Sequence, residues 1–172
     1  TTGSYNVALG YNALNAEDTG SRSTAIGYFA LDSQNNDAAN HNTAVGFTAL
    51  EKTTSGLYNV ACGSQALNAN TTASNNTAVG YNALLSNTTG SHNNAFGTLA
   101  LDANTTGSQN VAMGSNALGA NTTASNSVAI GHTALAANTT GSSNTAVGTD
   151  SLKDNTTGTN NVAVGENALA NN

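Results

Sequence analysis

Thr139-Thr140-Gly141-Ser142-Ser143-Asn144-Thr145-Ala146-Val147-Gly148-Thr149-Asp150-Ser151-Leu152-Lys153-Asp154-Asn155 is one full copy of the unit from which the chain is built. Its glycine at the tenth place sets the period. Gly10, Gly27, Gly46, Gly63, Gly80, Gly97, Gly114, Gly131, Gly148 and Gly165 stand 17 residues apart, with one step of 19 from Gly27 to Gly46. A two-residue insertion near Asn35-Asn36 explains that step, so ten units of 17 plus two residues fill all 172 positions. The units start at residues 1, 18, 37, 54, 71, 88, 105, 122, 139 and 156, and the chain reads as a single repeat array over 1–172. A fixed period of this length signals a solenoid-like architecture.

The unit reads T-T-G-S-x-N-(V/T)-A-(V/I)-G-x-N-A-L-x-A-N, with its places numbered 1 to 17. Place 8 is always Ala, place 10 always Gly, and place 14 always Leu: Leu14, Leu31, Leu50, Leu67, Leu84, Leu101, Leu118, Leu135, Leu152 and Leu169. Place 9 is always apolar but varies in size: Leu9, Ile26, Val45, Cys62, Val79, Phe96, Met113, Ile130, Val147 and Val164.

Seventeen residues are too few for two helices and a turn, and Gly, Thr and Asn are poor helix formers. Asn76-Thr77-Ala78-Val79-Gly80 alternates with period two and reads as a short strand. T-T-G-S reads as a turn. The glycine at place 10 ends the strand at a corner, and the Ala-Leu of places 13 and 14 is expected to form a second short extended segment. One such strand cannot bury its own apolar face, but stacked units can. The expected fold is therefore all-β: a parallel β-solenoid of ten 17-residue coils. At a strand spacing of ~4.8 Å the rod would be on the order of 48 Å long.

Stacking turns each place of the unit into a column. The Leu column and the place 9 column, Val79 and Val147 among them, are expected to form a thin interior. The Asn columns at places 6 and 17 should stack as amide ladders, and Thr at place 1 or 2 as a hydroxyl ladder. Places 8 and 10, represented by Ala78, Gly80, Ala146 and Gly148, must admit the close approach of another backbone. That backbone is either the opposite wall of the same coil or another subunit. A core this thin makes association between chains attractive.

Composition excludes several classes. Charged residues are 7% of the chain, and the net charge is −6. Arg22, Lys52 and Lys153 cannot form the basic patch that a nucleic acid or an anionic membrane surface requires. No apolar run approaches transmembrane length. Cys62 is the one cysteine, so no intrachain disulfide can form, and at place 9 it reads as a buried small hydrophobe. The chain begins at Thr1 without an initiator Met, as an internal or processed segment would.

Catalytic and cofactor-binding patterns are not found. His41, His92 and His132 lack metal-ligand spacing. The acids Glu17, Asp18, Asp32, Asp37, Glu51, Asp102, Asp150, Asp154 and Glu166 fall in different columns, and the Glu17-Asp18 pair does not recur. No catalytic, cofactor or metal residue is therefore assigned, and an enzyme is the weakest reading. Tyr11, Tyr28, Phe47 and Tyr81 at place 11 are the candidate ligand-contacting residues, able to stack on sugars or simply to cover a corner. From Thr71 onward six coils carry Thr-Thr, which keeps open a monomeric ice-binding solenoid. A two-column water-ordering face needs T-x-T, however, and place 3 is Gly or Ala. Triplets such as Asn70-Thr71-Thr72 match the glycosylation pattern but arise automatically from the repeat.

Asn126-Ser127-Val128-Ala129-Ile130-Gly131 and Asn160-Asn161-Val162-Ala163-Val164-Gly165 resemble the N-S-V-A-I-G strand of head repeats in YadA-type trimeric autotransporter adhesins. The longer phrase T-T-G-S-x-N-T-A-V-G-x-N-A-L is similar to repeats of bacteriophage tail fibres. The resemblance covers the whole chain. It implies a left-handed β-roll, a homotrimer, an extracellular or virion location, and attachment to a cell-surface glycan or protein receptor. The adhesin unit is shorter, so the additional residues here should enlarge a corner. End-to-end assembly into a filament is the further alternative, since no polar capping unit is visible at either end.

Overall fold

A computed structural model describes residues 3–16, 19–36 and 39–171. Glu17, Asp18 and Asp37, and with them the paired-carboxylate motif and the starts of units 1 to 3, lie outside the described residues. The fold is all-β with no helix among the described residues. Ten three-residue strands follow in order: β1 (Val7–Leu9), β2 (Thr24–Ile26), β3 (Thr43–Val45), β4 (Val60–Cys62), β5 (Thr77–Val79), β6 (Asn94–Phe96), β7 (Val111–Met113), β8 (Val128–Ile130), β9 (Thr145–Val147) and β10 (Val162–Val164). They form one parallel sheet in chain order, each strand beside the next, as a β-solenoid requires. Register follows the repeat: Ala8 pairs with Ala25, and Ala146 with Ala163. It is kept across the insertion, where Ala25 pairs with Ala44. The extra residues are absorbed outside the strands, where the Asn35 amide and the Asn36 side chain both donate to the Thr54 carbonyl at 3.3 Å.

Although only three residues per coil are strand, the parallel hydrogen-bond ladder runs around most of each coil. In the fifth coil, Thr71 donates to the Thr88 carbonyl at 3.2 Å, Thr77 to Asn93 at 2.9 Å, Leu84 to Ala100 at 3.0 Å and Ser86 to Asp102 at 3.0 Å. Backbone amides that would otherwise be orphaned in a narrow coil thus bond to the coil above or below.

The Ala-Leu segment is not a second extended segment. It is a run of overlapping turns, in which Ala83 donates to Gly80 at 3.4 Å, Leu85 to Asn82 at 3.3 Å and Asn87 to Leu84 at 3.2 Å. Places 5, 12 and 14 take left-handed backbone in every coil, as at Asn75 (φ 61°), Asn82 (φ 56°) and Leu84 (φ 52°). For a non-glycine residue this costs about 1–2 kcal/mol. At place 14 the leucine side chain offsets that cost by burial. A left-handed residue also breaks alternation, so that places 13 and 14, though adjacent, both point inward.

The interior is built from Ala at places 8 and 13 and Leu at place 14. Ala78, Ala83, Leu84 and Ala146 are fully buried, as are the leucines from Leu31 to Leu152. Leu14 is nearly so, and Leu169 in the last coil is 51% exposed. The backbone that place 8 approaches is the chain's own coil, since Ala78 and Ala146 are covered within one chain. Val79 and Val147 are corrected: they are half-buried on the outer side of the strand, not in the core. Cys62 is likewise exposed, not buried. The reason is width. The wall facing the Leu column has room only for the small Ala column, and the larger side chains of place 9 turn outward.

Gly80 ends its strand at φ 136°, and a Cβ there would stand 2.7 Å from the Gly97 carbonyl carbon. Gly148, at φ 127°, meets Gly165 in the same way. No L side chain fits a column in which backbone stacks this closely on backbone.

Candidate functional site

The interior is closed by two amide ladders. In the place 17 column, Asn87 donates to the Asn70 carboxamide oxygen at 3.1 Å, Asn104 to Asn87 at 2.9 Å and Asn121 to Asn104 at 2.7 Å. Each also donates to a carbonyl three residues on, as Asn104 does to Gly107 at 3.0 Å. In the place 6 column the amide Nδ2 of Asn76 donates to the Gly90 carbonyl at 2.9 Å. Its Oδ1 accepts the backbone amide of Asn93 at 2.9 Å. Where Ser23 replaces Asn at place 6, Gln34 replaces Asn at place 17, and the longer side chain reaches Ser23 Oγ at 3.0 Å. These buried groups are satisfied coil by coil, so they fasten the rod and are not free to bind.

The place 1 threonines form the expected hydroxyl ladder, with Thr88 Oγ1 donating to the Thr105 carbonyl and Thr105 to Thr122, both at 3.0 Å. The place 2 threonines, such as Thr72, Thr89 and Thr106, are exposed. The two Thr columns therefore have different work, and only one presents free hydroxyls to solvent.

Binding chemistry is left to the outer surface. Tyr11, Tyr28 and Phe47 stack face to face, with centroids 5.4 Å apart at both steps and interplanar angles of 17° and 6°. Phe29, at place 12, packs tilted against Tyr28 at 4.5 Å. At place 5, His41 stacks on Tyr58 at 5.2 Å, and the Arg22 guanidinium lies 5.7 Å from the Tyr5 ring centre. A sugar ring stacks on an aromatic face, and here the faces are taken by neighbouring coils. Tyr28 has both faces covered in this way, and the stacking fastens the first three coils. Tyr81 stands apart from this stack, because the place 11 residues on either side are Ser64 and Thr98.

His41, His92 and His132 are all exposed. No group of three or more His, Cys, Asp or Glu among the described residues could hold a metal. Near His132 a small polar cluster forms: Thr133 Oγ1 donates to Asp150, and Lys153 Nζ lies 3.3 Å from the same carboxylate. The Thr133 hydroxyl first, then Lys153, holds the Asp150 carboxyl below its ordinary range. Asp102 is shifted the other way, upward, by burial. Neither group adjoins a recurrent nucleophile. Among the described residues no helix is long and apolar enough to cross a membrane.

The feature that the repeat pattern did not reveal is the outer face of the sheet. Places 7 and 9 point outward along all ten strands, and Leu9, Met113 and Ile130 are among its exposed side chains. The sequence did carry a signal for this. A buried column packs against its own copies and cannot take Cys62 and Phe96 alike, whereas invariant Ala at place 8 marks confinement. Comparison with protein-family models, with curated proteins and with solved structures finds no match to this chain.

Proposed function

We propose that this chain is a structural rod segment of a trimeric surface fibre, of the bacterial adhesin or phage tail-fibre kind. It works outside the cell or on a virion, and it holds attachment sites for a glycan or protein receptor at a distance. The observation that supports this reading best is the unbroken ladder system. Backbone hydrogen bonds join coil to coil, and from Thr54 onward Asn side chains and Thr hydroxyls add to them on further sides. Such a lattice resists bending and pulling. The rod is not an enzyme and needs no cofactor. Its contribution to attachment is mechanical and multivalent, with copies side by side adding weak contacts by avidity. The left-handed coil and the threefold assembly follow the resemblance of the repeat to adhesin heads. The ice-binding alternative loses ground, because the place 1 hydroxyls are donated to backbone carbonyls.

The test is native mass by light scattering together with particle shape in negative-stain images. The expected result is about three chains per particle and a straight rod on the order of 40 to 50 Å long. A compact single-chain particle would remove the fibre reading.

A further inference from the structure

We infer that a calcium ion binds where places 12 and 15 meet in the second and third coils, held by Asp32, Thr48 and Glu51. The inference does not depend on how the rod is used. Asp32 and Glu51 both stand at place 15, in neighbouring coils. The Ser33 amide donates to the Glu51 carbonyl at 3.0 Å, which holds the two residues one strand step, ~4.8 Å, apart. Two carboxylates stacked at that spacing repel each other. Lys52 beside them is exposed, and the ion pair that forms among the described residues is Lys153 with Asp150, six coils further on.

A second, independent observation points to a ligand. The ladders satisfy buried polar groups coil by coil, yet Asp32 Oδ1 and Thr48 Oγ1 are buried without a hydrogen-bond partner. Thr48 is only 8% exposed. Its side chain is set against Glu51, because place 12 lies over place 15 of the same coil. Asp150 meets Lys153 in this way at 3.3 Å, and a Cβ at Gly119 would collide with Asn116 Oδ1. From the next coil, Asn68 Nδ2 donates to Glu51 Oε2 at 2.8 Å and to the Thr48 carbonyl at 3.0 Å. This orients the carboxylate and leaves Glu51 Oε1 for the ion. The set has two carboxylates completed by neutral oxygen, so it differs from the three-membered His, Cys, Asp and Glu groups that the chain lacks among its described residues. Oxygen ligands without nitrogen or sulfur suit a hard cation. Calcium accepts an irregular set of this kind, whereas magnesium demands a near-octahedral one.

The experiment titrates calcium chloride, and separately magnesium chloride, into the purified chain by isothermal calorimetry. The buffer holds about 0.15 M sodium chloride, which screens long-range attraction to the acidic chain. The variants are Asp32→Asn, Glu51→Gln and Thr48→Val, with Asp154→Asn as control because Asp154 is exposed and away from the set. Circular dichroism checks that each is folded. The expected result for wild type is one calcium ion per chain. At about five times its Kd, calcium should raise the melting temperature by about 2–4 °C. Asp32→Asn and Glu51→Gln should each weaken binding by at least about tenfold, since affinity follows the charge of the ligands. Thr48→Val should weaken it too, and Asp154→Asn should bind as wild type does. A wild type that takes up no calcium overturns the proposal. Undiminished binding by Asp32→Asn or Glu51→Gln overturns the assigned site, and magnesium bound as tightly as calcium overturns the choice of ion. If one carboxylate variant does not fold, the other decides together with Thr48→Val.

Discussion

At place 14 every leucine combines a left-handed backbone with complete or near-complete burial in the nine coils from Leu14 to Leu152. The side chain therefore has to supply more than ordinary packing energy. Leu84→Ala is expected to cost about 2–5 kcal/mol, read by urea unfolding, because the wall around it cannot collapse onto the hole. Ala78→Val is expected to cost about 1–3 kcal/mol by overpacking the facing column. Were place 9 the interior and place 8 the surface, Ala78→Val would be nearly silent. Asp102 gives a prediction with a sign. Burial raises its folded pKa, so the ionised form opposes folding. That penalty is fully present at neutral pH and fades as pH falls through the carboxylate range. Asp102→Asn should thus raise the melting temperature at pH 7, and the gain should vanish in acid.

At the level of the element, the working unit is the ladder and not the three-residue strand. A parallel pair this short has little stability alone. The coil closes because turns, Asn side chains and Thr hydroxyls continue the same interlocking pattern beyond the strand. Asn104 is central to one such ladder, giving to Asn87 and Gly107 and accepting from Asn121. Asn104→Ala strands buried groups on three sides and is expected to cost on the order of 1–3 kcal/mol or more. Thr106→Ala, on the exposed neighbouring column, should stay within about 0.5 kcal/mol. Equal effects of the two in thermal unfolding would mean that the amide ladder carries no special weight. The aromatic stack of Tyr11, Tyr28 and Phe47 is the same device in another chemistry. Ring faces replace amides as the coil-to-coil contact.

For the molecule as a whole, stability is a sum over coils and their interfaces. Removing residues 105–121, one whole coil of 17, joins equivalent places and keeps every column in phase. The shortened rod should fold with an unchanged circular dichroism signature and slightly lower stability. Removing residues 105–120 instead shifts every later column by one place. That variant should lose cooperative unfolding, since a one-residue slip sends the Ala column outward. Similar behaviour of the two deletions would contradict the columnar architecture. The same columns organise the surface, with charge at places 15 and 16 and the uncharged columns 7 and 9 on the outer strand face.

The period, the place of the insertion, the parallel stacking, the Leu core and both amide ladders were legible in the sequence. Each follows from repetition alone, because identical units stacked in phase must set like residues together. The direction in which a column points was not legible where the backbone departs from regular strand. Left-handed residues at places 5, 12 and 14 interrupt alternation, and they turned the expected second strand into a chain of turns. Which of places 8 and 9 faces inward depended on the width of the coil, a property of the closed ring that no single unit carries. The outward direction of the columns at places 7 and 9 became visible only after that width was known. Sequence determined what stacks on what, and tertiary structure decided what faces out, because register is inherited from the repeat while curvature is set by the closure of the whole coil.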